Sequence, residues 1–189
     1  MVIGLPEIIF SKGVCQGYTL AKQTENKYER FSHERTFARL EIIHSDIYVP
    51  FNHIPMSECK YVLTFIDEFS RYCWIYFLKH KSEVLTLFKG FKAQVKNQFG
   101  RNSKILRYDN DGVYFEHDVI QYCEDACIQM QHSIPYTPQQ NGVAERNNTS
   151  LKEMATCMME SNNLPPKFLD EDINCAPYIQ NRVPHKHND

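Results

Sequence analysis

Between Leu40 and Leu78 the chain carries three short runs suited to a sheet. They are Leu40-Glu41-Ile42-Ile43-His44-Ser45-Asp46-Ile47, Tyr61–Ile66 and Tyr72–Leu78. The second and third are dense in β-branched and aromatic residues, and Asp67-Glu68-Phe69-Ser70 turns the chain between them. This pattern predicts a three-stranded antiparallel meander. Helical spacing follows at Val84, Leu85, Phe88, Phe91 and Val95, with Ser82 as the expected cap and Gly100 as the stop. Lys104–Tyr108 reads as a fourth strand, 115–125 as a helix, and 128–132 as a fifth strand. Pro135 and Pro138 bracket a loop, and a long helix is expected over 141–160. Pro165-Pro166 opens a last helix, about 167–181. The class is α/β, a mixed five-stranded sheet of three antiparallel strands and two further ones, flanked by helices. Residues 1–39 are polar and aperiodic, so they read as an arm, and 40–189 as the core.

The chain has 189 residues, 42 % of them hydrophobic, enough for a packed core. No apolar run is long enough to span a membrane, and the first residues lack the pattern of a secretory signal. Seven cysteines without paired spacing fit a reduced, intracellular compartment. The net charge of −2 does not announce a nucleic-acid binder. Its distribution is uneven: residues 1–100 carry 13 basic against 10 acidic side chains, and 101–189 carry 8 against 13. An acidic half suits an enzyme that holds cations.

Three carboxylates stand out. Asp46 lies inside the first strand, Asp109 at the exit of the fourth, and Glu145 near the start of the long helix. Together they would repel unless cations neutralised them, and oxygen ligands of this kind suit Mg²⁺ or Mn²⁺. Each has a plainer reading. Asp109 fits an ordinary turn, Tyr108-Asp109-Asn110-Asp111-Gly112. Glu145 fits the positive end of a helix. Asp46 is harder to dismiss, because a carboxylate in an apolar strand is costly unless paired or metal-bound. On the helical wheel Ala144, Leu151, Met154, Ala155 and Met158 share one face. Glu145 falls outside it and aligns with Thr149, Lys152 and Thr156. Lys152 could meet a phosphate or simply face water. The same choice holds for the stripe Lys89, Lys92 and Lys96.

The segment Tyr136-Thr137-Pro138-Gln139-Gln140-Asn141-Gly142-Val143-Ala144-Glu145-Arg146 resembles the one that carries the catalytic glutamate in integrases of copia-type LTR retrotransposons. Further segments follow in order: Leu40–Asp46, Phe65–Tyr72, Phe77–Val84, Arg107–Asn110 and Asn181–Lys186. The 35 residues between Asp109 and Glu145 match the family spacing. The resemblance implies a ribonuclease-H-like fold and an integrase catalytic core. It implies Asp46, Asp109 and Glu145 as catalytic residues and metal ligands, with two Mg²⁺ or Mn²⁺ ions. The implied activity is metal-dependent cleavage of element DNA ends and strand transfer into target DNA, carried out in the nucleus by a homo-oligomer. Gln139, Gln140, Asn141, Arg146 and Lys152 would contact double-stranded DNA. Asp67, Glu68 and Asp111 read as turn residues.

The sequence departs from the family pattern at several points. Members carry an upstream two-His, two-Cys zinc module. Here Cys15 has Tyr18 at the partner position, so no zinc site is expected and the arm reads as truncated. Cys123 and Cys127 read as helix packing. Val49 stands for a glycine. Tyr108, Asp111 and Val113 flank the second aspartate in place of the usual small residues and Glu. Asn147 and Thr149 replace basic residues expected to meet phosphate. Leu169 replaces a tryptophan, and Asp170-Glu171-Asp172 makes the last helix acidic. These departures open a second reading: a decayed or domesticated core that binds nucleic acid or self-associates without turnover.

Overall fold

The computed structural model describes residues 36–49, 57–109, 117–132 and 142–183. Five strands form one sheet: β1 (Ile42–Tyr48), β2 (Tyr61–Asp67), β3 (Cys73–Leu78), β4 (Ile105–Tyr108) and β5 (Gln129–His132). Their order is β3-β2-β1-β4-β5. β1, β2 and β3 pair antiparallel; β4 runs parallel to β1, and β5 parallel to β4. Among the described residues four α-helices flank the sheet: α1 (Val84–Phe99), α2 (His117–Asp125), α3 (Gly142–Ser161) and α4 (Leu169–Gln180). The expected meander, mixed sheet and helix order are all present.

Strand alternation divides the core in two. One face of the sheet presents Ile43, Ile47, Leu63, Phe65, Leu106 and Tyr108 to Val84, Phe88, Phe91 and Val95 of α1 and to Val119 and Cys123 of α2. Phe65 stacks on Phe91 with ring centroids 4.4 Å apart. The opposite face carries Ile66 and Cys73 against Ala144, Leu151 and Ala176, and Val62 against Ala155 and Ile173. This face, under α3 and α4, also carries His44 and Asp46 of β1.

Local boundaries differ from the sequence reading for physical reasons. Leu40 has φ +65° and stands outside the sheet, so β1 begins at Ile42. Its backbone N–H donates to Asp67 Oδ1 at 2.8 Å, while Asp67 Oδ2 accepts from the Ser70 backbone and hydroxyl. Asp67 is therefore more than a turn residue: it is 1 % exposed and ties the entry of β1 to the β2–β3 hairpin. The expected Ser82 cap is replaced. A 3-10 turn over Lys81–Glu83 leads into α1, and Glu83 Oε1 accepts the His80 N–H at 2.8 Å. Cys123 is buried, as expected, but Cys127 is exposed at φ +53°, beyond the end of α2. Its predicted packing role is corrected: the helix has ended before the i+4 position is reached. Asp170, in the first turn of α4, is buried and accepts the Ser57 N–H at 3.0 Å. One of the acidic residues of that helix is thus an anchor.

Candidate active site

Asp46 occupies the third-last pairing position of β1, opposite Thr64 of β2. On its other side β1 and β4 run parallel, with Ser45 opposite Tyr108. The pairing ends there, and Asp46 and Asp109 are the residues that follow it on the two chains. Both stand at carboxyl ends of neighbouring parallel strands, the end at which open α/β sheets form their crevices.

The Asp46 carboxylate is held on both oxygens. Oδ1 accepts the Ile47 N–H at 2.9 Å, and Oδ2 accepts from Asn148 Nδ2 at 2.8 Å. Asn148 lies on α3, is 7 % exposed, and sits three residues after Glu145. A single hydrogen bond therefore links the first aspartate to the helix that carries the glutamate, one turn apart. Asn148 was not among the residues singled out from the sequence. Its i+3 spacing from Glu145 was the available signal, but a helical Asn reads as a surface residue until its neighbours are known.

Glu145 lies in the first turn of α3 and is exposed, as are Arg146 and Lys152. The Arg146 guanidinium lies over Gly142. The buried face of α3 is Gly142, Ala144, Asn147, Asn148, Leu151 and Ala155, so Glu145 does leave the packed stripe. Gln139, Gln140 and Asn141 fall outside the described residues, as do Cys15, Asp111 and Val113. Among the described residues, no three His, Cys, Asp or Glu side chains are gathered tightly enough to hold a metal ion. The aspartates are neighbours by register, and Glu145 is one helical turn from the residue bonded to Asp46. In kind, these hard oxygen donors fit a divalent cation such as Mg²⁺.

Two of the departures from the family pattern are absorbed by packing. Tyr108 is 6 % exposed and belongs to the α1–α2 side of the core, the face away from Asp46. Asn147 is not a phosphate position that has lost its charge. It is buried, donates to Cys73 Sγ at 3.4 Å, and accepts from Gln180 Nε2 at 2.6 Å. Thr149 and Val49 are exposed. Of the lysine stripe, Lys89 and Lys92 lie over the Tyr122 ring, 5.0 and 5.2 Å from its centroid.

Glu68 also exceeds the turn role expected of it. It hydrogen-bonds buried His44 and pairs with Arg71 at 3.3 Å. Burial alone would raise the Glu68 carboxyl, but the His44 hydrogen bond and the His44, Arg71 and Arg107 charges outweigh it and hold it below the ordinary range. Burial pushes His44 down, against the raising effect of its hydrogen bond to Glu68 and of the Glu68 charge.

Residues 27–138 match the family model described as the integrase core domain. The chain is 36 % identical over 181 residues to the retrovirus-related Pol polyprotein from transposon TNT 1-94 of Nicotiana tabacum, covering 94 % of this chain and 14 % of that protein. It is 32 % identical over 145 residues to the Pol polyprotein from transposon RE2 of Arabidopsis thaliana, covering 77 % of this chain and 10 % of that protein. The chain thus spans a small part of these relatives. Among solved structures, it is similar to a chain of a simian T-cell lymphotropic virus intasome in complex with PP2A regulatory subunit B56 gamma. The TM-score is 0.66 at 20 % identity, over 88 % of this chain and 58 % of that one. It is also similar to the HTLV-2 integrase catalytic core domain in complex with magnesium, with a TM-score of 0.57 at 20 % identity, over 79 % of this chain and 90 % of that one. At these identities the likeness shows the fold.

Proposed function

Because the chain belongs to the integrase core domain family, we propose that it is the catalytic core of a retrotransposon integrase, acting on double-stranded DNA through Asp46, Asp109 and Glu145. The observation that supports this reading is the parallel β1–β4 register, after whose last pair Asp46 and Asp109 follow, together with the Asn148 bond that ties Asp46 to the helix of Glu145. The three carboxylates would hold divalent cations, which supply nucleophile activation and charge neutralisation for phosphodiester chemistry. The protein's own part is to hold the Asp46 carboxylate by Asn148 and the Ile47 N–H. Exposed Arg146 and Lys152 would meet phosphates near the glutamate, and Gln139, Gln140 and Asn141 the DNA end. Contacts of this type are weakly sequence-selective.

The proposed reaction has two steps without a covalent enzyme intermediate. Water cleaves a phosphodiester near the 3′ end of the element's DNA, and the freed 3′ hydroxyl then displaces a target phosphodiester. The HTLV-2 core has been solved in trimeric and dimeric forms, and self-association is proposed here too. The site of action is the nucleus. Among the described residues no helix is long and apolar enough to cross a membrane.

The test is a DNA duplex mimicking an element end, incubated with the protein and Mn²⁺. Shortened 3′ ends and joined products are expected. DNA binding without either product would favour the non-catalytic reading and overturn this one.

A further inference from the structure

Asp46 and Asp109 each have a polar residue two positions upstream, His44 and Arg107. These two are opposite one another in the β1–β4 register. Strand alternation sets His44 on the same face of β1 as Asp46, and Arg107 on the same face of β4 as the strand-end position of Asp109. The row continues across the sheet. Arg107 is opposite Gln131 of β5 and donates to Gln131 Oε1 from Nε at 3.3 Å and from a terminal nitrogen at 3.0 Å. On the other side His44 is hydrogen-bonded to Glu68, which follows β2 and takes Arg71 on its other oxygen. The Glu68 backbone N–H also donates to Ile42 O at 3.0 Å. Arg107 is close enough to Glu68 for each to feel the other's charge. One polar ladder therefore runs beneath the aspartates from the β2 turn to edge strand β5.

A fully buried histidine and a half-buried arginine on a sheet face are costly unless they are paired. Here both are paired across strands, at the one level of the sheet that adjoins the aspartates. Resting on the carboxylate-site reading above, we propose that His44, Glu68, Arg107 and Gln131 form a positioning layer for Asp46 and Asp109. The ladder fixes the lateral setting of the exits of β1 and β4, and so the spacing of the two carboxylates. Partners behind metal ligands commonly change metal affinity by about 10–100-fold when removed.

Gln131→Ala tests this most cleanly, because it removes the Arg107 tether without changing charge. Glu68→Gln preserves an acceptor for His44 but removes the charge facing the two arginines. With the 189-residue chain, Mn²⁺ binding is followed by calorimetry, and amide hydrogen exchange is followed without metal. Each variant is expected to weaken Mn²⁺ binding about tenfold or more and to accelerate exchange at residues 45–48 and 106–109 ahead of β3 and α1. Unchanged Mn²⁺ affinity per folded molecule in both variants overturns the proposal, as does exchange that accelerates evenly across the sheet. Arg107→Gln separates positioning from charge. Positioning predicts weaker binding, whereas tighter binding, from the loss of a nearby positive charge, overturns it. Wild-type Mn²⁺ binding that survives Asp46→Asn is a failure of the carboxylate-site reading instead, and the exchange pattern then decides the ladder by itself.

Discussion

Asp46→Asn is expected to lower Mn²⁺-dependent cleavage of an end-mimicking duplex at least about a hundredfold, since the loss falls on charge stabilisation in the reacting complex. Asn presents one neutral acceptor where Asp presents two charged ones. It can still accept the Ile47 N–H, so the local backbone is kept. A flip of the Asn148 amide can present its Oδ1 to the new Nδ2, so metal-free thermal stability is expected to change little, while the stabilisation that Mn²⁺ gives the wild type disappears. Thermal unfolding with and without Mn²⁺, alongside the cleavage assay, reads both effects. Cleavage that persists in the variant would remove Asp46 from the site. Cleavage lost together with the fold would mean that Asp46 serves the sheet.

The second large effect concerns the scaffold. Phe65 sits in β2, fully buried, and touches Phe91 at 4.4 Å, Phe88 at 5.6 Å and Tyr76 at 5.8 Å between ring centroids. It joins α1 to the meander on the face opposite the aspartates. Phe65→Ala is expected to cost about 3–5 kcal/mol, combining lost burial with a cavity that Phe88 and Phe91 only partly fill. Against a total stability of about 5–15 kcal/mol, that is a large fraction. The urea midpoint of unfolding should fall accordingly. A loss below about 1 kcal/mol would show that the helix can close over the gap.

The sheet could be read from the sequence because β2 and its neighbour β3 carry little polar interruption. Tyr61–Ile66 and Tyr72–Leu78 are apolar almost throughout, and the Asp67–Ser70 turn leaves one plausible pairing. The helices followed from spacing: Val84, Phe88, Phe91 and Val95 are the buried residues of α1. The misread parts depend on partners far along the chain. Leu40 looks like strand, yet Asp67, 27 residues away, holds its N–H outside the sheet. Asn147 looks like a surface position, yet Gln180 and Cys73 bury it. Tyr108 looks like an intruder beside a catalytic aspartate, but alternation turns its ring into the other half of the core. The ladder through Glu68 was hidden in the same way. Its members are dispersed along the sequence, and only the register brings His44, Arg107 and Gln131 into one row.

The three acids stood out in the sequence as residues, and their partners did not. Nothing in the spacing of Asp46 and Asn148 indicates that a helix 102 residues downstream supplies a donor to the first aspartate. That bond, with the parallel register, draws α3 and the two strand exits to one end of the sheet. A crystal soaked in Mn²⁺ and examined by anomalous scattering tests this convergence most directly. The account predicts Mn²⁺ peaks bounded by Asp46, Asp109 and Glu145, with two ions about 3.5–4 Å apart. Peaks elsewhere, or a Glu145 carboxylate more than about 10 Å from both aspartates in the Mn²⁺-soaked protein, too far to share ions with them, would contradict it.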